Sequence, residues 1–343
     1  MNSILAALAA SAGVHFMGVN ADLQREGIGH NLNIAMDAQP SLITTSNSGI
    51  PAFLSTFIDP KFIEVLVAPM KAADIIGSEI KKGDWTWETA MFPVIESTGE
   101  VSSYGDYNSN GIAGANTDFP QRQSYHYQVI TQWGERELEK AALARIDWAN
   151  RLNIASALTL NKYQNKTYFF GVDGLENYGL LNDPNLYAPI APTTETGGLV
   201  TWTQKDALGV LADVAALFAQ LQTQAVGLVE LDTPMTLAMS PVAEAIGMTK
   251  TTQYNVNVWD LLKKNYPNLL VETAPEYATA SGQLLQLIAE AGDGQKTAEA
   301  AFTEKLRAHP IKVELSSFAQ KKSQGTWGAI IYRPFLIASM LGV

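Results

Sequence analysis

The sequence predicts an α+β protein that carries a long outward-reaching arm. Two strand-like runs flank a Gly/Ser/Asn-rich centre within residues 85–130, and a polar helix of about thirty residues follows them. Further on, helix and strand signals alternate over roughly one hundred residues, the pattern of an α/β unit.

Residues 1–58 are rich in Ala, Asn, Ser and Gly, poor in aromatics, and read as an N-terminal arm more than as core. The opening Met1-Asn2-Ser3-Ile4-Leu5-Ala6-Ala7-Leu8-Ala9-Ala10-Ser11-Ala12-Gly13 contains an Ala-Ser-Ala step like a signal cleavage site. It has no Lys or Arg in an n-region, so a short helix packing on a partner is expected instead. No stretch is convincing as a transmembrane helix, because His15 interrupts the best one. Over residues 59–76, Phe62, Val65, Leu66 and Met70 share a helical face that Pro69 ends or kinks.

The arm follows. Trp85-Thr86-Trp87-Glu88-Thr89-Ala90-Met91-Phe92 and Ser124-Tyr125-His126-Tyr127-Gln128-Val129-Ile130 both alternate bulky and polar residues with period two, as half-buried strands do. Between them, residues 102–117 hold no large aliphatic side chain except Ile112. A connection of that length is uncommon inside a compact domain and cannot bury itself. It is expected to project and to become ordered against a neighbouring subunit.

The long helix is expected over residues 134–166, about 45–50 Å at 1.5 Å per residue. Leu138, Ala142, Ala149 and Leu152 fall on one face and Arg136, Lys140, Asp147 and Arg151 on the other. A turn-rich block and a Pro/Thr/Gly linker over residues 188–198 separate it from a new unit. There, residues 203–219 read as a helix, 235–239 as a buried strand, and Ser240-Pro241 as a helix start. Residues 258–266 read as a helix, and 269–272 and 284–289 as strands. The tail adds strands over 311–316 and 326–332.

The chain has 343 residues, 47% hydrophobic and 17% charged, the balance of a folded protein. Its net charge of -11 argues against a dedicated nucleic-acid binder, and Arg25 is the only Lys or Arg before Lys61. Absence of cysteine removes disulfides, thiolate metal sites and cysteine nucleophiles together.

Motifs that could carry chemistry give little. Asp106-Tyr107-Asn108-Ser109-Asn110-Gly111 places Asp106, Asn108 and Asn110 like the first half of a calcium loop. The twelfth position, which needs a bidentate Glu, is Thr117, so the segment reads as an Asx/Gly-rich tip. Gly292-Asp293-Gly294-Gln295-Lys296-Thr297 lacks the Gly directly before Lys that a phosphate loop requires. Ser78-Glu79-Ile80-Lys81 has Ser-x-x-Lys spacing without its companion elements. His15, His30, His126 and His309 are scattered, and the tryptophans read as core or interface anchors. No nucleophile–base pair, metal triad or anion cradle emerges, so neither an enzyme nor a cofactor is expected.

The order of elements resembles the major capsid proteins of tailed bacteriophages with the Hong Kong 97-type fold, which encapsulin nanocompartments share. Residues 85–130 resemble the extended loop, or E-loop, and residues 134–166 the spine helix. Gly174-Leu175-Glu176-Asn177-Tyr178-Gly179-Leu180-Leu181-Asn182-Asp183-Pro184 is similar to the Gly-Leu…Gly-Leu-Leu-Asn-x-Pro turn after that helix. Gly325-Thr326-Trp327-Gly328-Ala329-Ile330-Ile331-Tyr332-Arg333-Pro334 is similar to the final peripheral-domain strand. The resemblance implies an N-terminal arm (1–58), a peripheral domain (59–83, 131–199 and 306–343), an E-loop (84–130) and an axial domain (200–305). It implies pentamers and hexamers of one chain forming an icosahedral head that encloses double-stranded DNA without reading its sequence. Contacts with other copies are expected from Trp85, Trp87, Tyr104, Tyr107, Ile112 and Phe119 on the arm and from Arg136, Lys140 and Arg151 on the helix. Portal, scaffolding and decoration proteins are the further implied partners. No membrane is implied, and the site of action would be the virion, after synthesis in the bacterial cytoplasm. The rival expectations are an encapsulin-like shell, and an α/β hydrolase or carbohydrate-binding protein with a long surface loop.

Overall fold

The computed structural model describes residues 69–343, apart from residues 145, 196 and 293. The expected N-terminal arm over 1–58, the helix face of Phe62, Val65 and Leu66, and His15 and His30 lie outside the described residues. Two mixed sheets organise the rest. Helix α1 (Ala72–Ile76) stops at Gly77, whose φ of 81° suits only a residue without a Cβ. Strand β1 (Glu79–Lys81) then enters the first sheet. The arm follows as four strands: β2 (Thr89–Met91), β3 (Val94–Gly99), β4 (Ala113–Asp118) and β5 (Gln121–Gln123). Strand β6 (Tyr125–Gly134) returns to the body and leads into helices α2 (Glu135–Leu143) and α3 (Trp148–Phe170).

After the turn block come α4 (Ala207–Gln224), β7 (Met235–Met239), a short helix Pro241–Ala243 continued by a π turn, and α5 (Val258–Asn265). Strands β8 (Leu269–Thr273), β9 (Ala278–Thr279), β10 (Gly282–Ala289), β11 (Ala291–Gly292) and β12 (Gln295–Lys296) follow. The chain closes with β13 (Ala298–Ala308), β14 (Lys312–Glu314), β15 (Ser317–Ile331) and β16 (Ile337–Leu341).

The first sheet has the order β1-β13-β15-β14, with β6 also paired to β15. Its central strand β15 runs for 15 residues and is buried from Lys322 onward. Helix α3 covers one face through a polar seam. Lys322 Nζ donates to Asn153 Oδ1 (2.8 Å) and Ser156 Oγ (2.7 Å), and Gln324 Nε2 donates to Asn161 Oδ1 (3.2 Å). Burial lowers the Lys322 pKa, because the ammonium loses water there without gaining a carboxylate. The second sheet, β16-β10-β7-β8, packs against α4 and α5 around Leu217, Leu221, Leu237, Leu285 and Met340. Asp206 starts α4 by accepting from Gly209 N at 2.7 Å. Inside this unit, Asp213 is fully buried and fully satisfied, accepting from Lys205 Nζ, Trp202 Nε1, and Thr193 N and Oγ1. Ala300 and Ala329 of the first sheet share a core with Ala238, Ile288 and Ile337 of the second and with Phe169 of α3.

Several elements differ from the sequence expectation. The single helix over 134–166 is two helices, because Asp147 caps α3 by accepting from Asn150 N (3.3 Å) in a non-helical conformation. Helix α2 buries none of its residues, and Leu143 is 87% exposed, so Leu138 and Ala142 do not seat on a core as the helical wheel suggested. Residues 85–92 and 124–130 do not pair with each other over their length. Only Thr89–Met91 is strand in the first run, and Tyr125–Gly134 pairs with β15. Strand β13 pairs with β1 and β15 although its Ala/Glu/Lys/Leu/Arg content favours helix, so tertiary pairing overrides propensity there.

Asp147→Ala is expected to lower unfolding free energy by about 0.5–2 kcal/mol, the usual value of an N-cap, with loss of helicity confined to the start of α3. Urea denaturation followed by circular dichroism checks it.

Candidate assembly surface

The arm is built from the root outward. At the root, β2 pairs antiparallel with β5, with Ala90 opposite Arg122. Arg122 is the anchor. Its guanidinium lies 2.6 Å from Asp183 Oδ2, with side chains only 10% and 1% exposed, and 4.7 Å over the Tyr178 ring. Asn177 Nδ2 donates to Gln123 O (2.9 Å) and to Thr326 O (3.2 Å), tying the root, the turn after α3 and the central strand together.

That turn depends on glycine at two close approaches. A Cβ on Gly179 would lie 2.2 Å from the Phe169 carbonyl carbon, and one on Gly328, at φ 73°, would lie 2.3 Å from Tyr178 O. Asn182 closes the turn, accepting from Gly179 N (2.7 Å) and donating to Phe170 O (2.6 Å). The Gly-Leu-Leu-Asn-Asp-Pro run is therefore the socket into which the arm is plugged.

Beyond the root, β3 and β4 form a hairpin in register from Val94↔Asp118 to Gly99↔Ala113. Every residue of both strands is exposed. Val101, Tyr104, Tyr107 and Ile112 at the tip are 97%, 94%, 104% and 78% exposed. Trp87 and Phe119 are also exposed. Trp85 is different: it packs edge-on against His126 at 4.3 Å and lies under Arg307, so it fixes the root within its own subunit. Burial lowers the His126 pKa, opposed by Glu88 and a Trp85 backbone hydrogen bond. Arg136 and Lys140 are exposed on α2, and Arg151 is half-buried on α3, so the break between the helices prevents one continuous charged face.

The calcium-like segment is a self-contained tip. Asp106 Oδ1 accepts from Tyr104 Oη (2.9 Å), Asn108 Oδ1 accepts from Asn110 N (3.0 Å), and Asn108 Nδ2 donates to Ser103 O (2.8 Å). Ser102 Oγ donates to Asn110 O (2.8 Å), and Gly111 turns the chain at φ 97°. Among the described residues no group of three or more His, Cys, Asp or Glu side chains is arranged to hold a metal. Asn177 and Asp183 were legible only as members of the turn motif, and Arg122 was not singled out at all. A lone Arg at the end of a polar segment was the available signal.

The model of the Pa193 gp26 major capsid protein family matches residues 41–342 of the chain. The chain belongs to that family. No curated protein matches it. Among solved structures, the capsid of Myoviridae phage XM1 is similar over 87% of this chain and 100% of its own, at 15% identity and a TM-score of 0.73. The capsid of a native GTA particle follows at 11% identity and 0.59, over 88% and 99% of the two chains. A chain of Mycobacterium phage Ogopogo gives 10% and 0.58, over 88% and 100%. This major capsid protein has the Hong Kong 97-type fold, acts in the virion as a shell-forming subunit, and has a structural role.

Arg122→Ala in the capsid protein is expected to cost about 3–5 kcal/mol, because Asp183 would remain buried without its cation; chemical denaturation checks it. A second expectation concerns pH. The folded His126 pKa lies below the ordinary 6.5, so its neutral form fits the fold. Stability is then fully present above 6.5 and falls as pH drops from there through the folded value. His126→Gln should flatten this part of the melting-temperature profile, read by scanning calorimetry between pH 5 and 8.

Proposed function

We propose that this capsid protein assembles as pentamers and hexamers that close an icosahedral head around double-stranded DNA, with the arm lying over a neighbouring copy. The exposed β3–β4 hairpin supports this reading most. A two-stranded hairpin alone is marginal in water, and here Val101, Tyr104, Tyr107 and Ile112 are left largely exposed by the described residues. A neighbour supplies the missing apolar contact, and stability of the subunit becomes linked to assembly. In this reading Trp87, Tyr104, Tyr107, Ile112 and Phe119 meet the neighbour directly, while Arg136, Lys140 and Arg151 present charge to adjoining copies.

The first sheet with α3 takes the peripheral role, and the second sheet with α4 and α5 takes the axial role around the symmetry axes. In this reading β13 goes with the first sheet and β16 with the second, so the two units interleave along the chain. DNA is enclosed without sequence-specific binding. Portal, scaffolding and decoration proteins are further partners, and synthesis takes place in the host bacterial cytoplasm.

Replacing residues 94–118 by a short Gly/Ser turn keeps β2, β5 and the Arg122 anchor. Soluble capsid subunits or capsomers without closed shells are expected in electron microscopy and light scattering. Normal particles from this variant would overturn the assembly role of the arm.

A further inference from the structure

At the start of α4 the α/β unit buries a lysine against an aspartate. Lys205 Nζ lies 2.5 Å from Asp213 Oδ2, and both side chains are 0% exposed. Trp202 Nε1 donates to the same oxygen at 2.9 Å, while Thr193 N (2.8 Å) and Thr193 Oγ1 (2.6 Å) donate to Oδ1. Trp202 is itself buried, so its indole walls the pair off from water. Lys250 Nζ donates to the carbonyls of Trp202 and Lys205, which fixes the turn that carries the lysine.

A third ionisable group stands beside them. Glu195 follows Thr193 by two residues, in a turn where Glu195 N donates to Leu199 O and Gly198 N donates to Glu195 O, both at 3.0 Å. Its Oε1 is buried and has no hydrogen-bond partner. That oxygen fills the place where a Cβ on residue 209 would stand, so only Gly209 admits it. Gly209 lies one turn ahead of Asp213 on the same face of α4. Helical side chains lean toward the N-terminus, so the Asp213 carboxylate leans toward the orphan oxygen of Glu195. Two charges held this far from water recover their desolvation only through their mutual geometry. A condensation that removes both charges relieves that cost.

We infer that Lys205 and Asp213 join autocatalytically through an isopeptide bond, with Thr193 as the oxyanion donor and Glu195 as the proton carrier. A hydrogen bond as short as theirs puts Nζ about 3–3.5 Å from Cγ, the separation of a near-attack arrangement. One ammonium proton passes to Oδ2, leaving a neutral amine beside a neutral acid. The Nζ lone pair then forms the bond to Cγ, and the electron pair displaced from the carbonyl moves onto Oδ1, where Thr193 N and Oγ1 already donate. Glu195 takes a second proton from Nζ and delivers it to Oδ2. The Cγ–Oδ2 bond breaks, Oδ2 leaves as water, and the carbonyl at Oδ1 re-forms. Ammonium and carboxylate thus become one amide and one water, with nothing oxidised or reduced, Glu195 unchanged, and the net charge of the chain conserved. The product staples the turn before α4 to the second turn of the helix within one subunit, independently of how copies pack.

Mass spectrometry of the full chain tests this. The denatured wild-type chain is expected to weigh one water less than its sequence, and fragmentation of a peptide spanning both residues yields no backbone fragments from between 205 and 213. Lys205→Arg retains the full mass. Asp213→Asn loses ammonia instead and converges on the wild-type final mass. Glu195→Gln slows the loss of water roughly tenfold or more in a time course after synthesis, and Glu195→Asp recovers part of the rate, which a merely structural role of that side chain does not explain. A folded wild-type chain that keeps its full mass at all times overturns the bond, as does a loss of water that persists in Lys205→Arg. Equal rates in wild type and Glu195→Gln overturn the role of Glu195. Where a variant does not fold, the wild-type mass and its fragment map decide.

Discussion

The buried ion pair between Arg122 and Asp183 holds the arm where it leaves the body, and the direction in which the hairpin extends depends on it. Two charges with this little access to water are costly to bury and attract strongly only when their geometry and hydrogen bonding are satisfied. Here the guanidinium also lies over Tyr178, and Asn177 binds the adjoining strand and the central strand at once. The result is a rigid root beneath a hairpin that buries nothing of its own. A mobile root would spread the tip over many positions, and docking would then pay an entropy cost for each arm placed.

The socket in turn depends on the absence of side chains. Gly179 lies against the end of α3, and Gly328 lets the central strand β15 approach Tyr178, so Ala329 N donates to the Tyr178 carbonyl at 3.0 Å. Helix, turn, central strand and arm root thus meet at one place. A change at any of them reaches the others by direct contact, which links the stability of the fold to the aim of the arm.

Polar groups at the seam between α3 and the first sheet orient the helix alongside its buried Leu160 and Phe169. Lys322, Gln324, Tyr127 and Tyr163 form hydrogen bonds and ring contacts there, where a wheel of apolar positions would have placed Ala149 and Leu152. Such contacts are directional, so they fix the rotation of the helix about its axis. The other unit relies on an apolar core closed by the Asp213 network, and its strands alternate with helices as the sequence pattern suggested.

Local chemistry by itself determined much of this protein. Period-two runs, capping residues and apolar faces gave α4, α5, β7, β8 and β10 close to their positions, and the polar centre of residues 102–117 marked an arm that cannot bury itself. The Gly-Leu-Leu-Asn-Asp-Pro turn was legible as a motif, though not as a socket. Only tertiary structure decided the rest. Strand β13 has helical composition and is a strand because β1 and β15 offer it hydrogen-bonding edges. Strands β3 and β4 have no hydrophobic alternation to read, because neither of their faces is buried within the subunit. Arg122 finds Asp183 across 61 residues of sequence, and a pairing of that range leaves no periodicity behind. Sequence records the environments that a residue shares with its near neighbours; contacts made by chain crossing, and surfaces completed by another copy, appear only when the chain has folded.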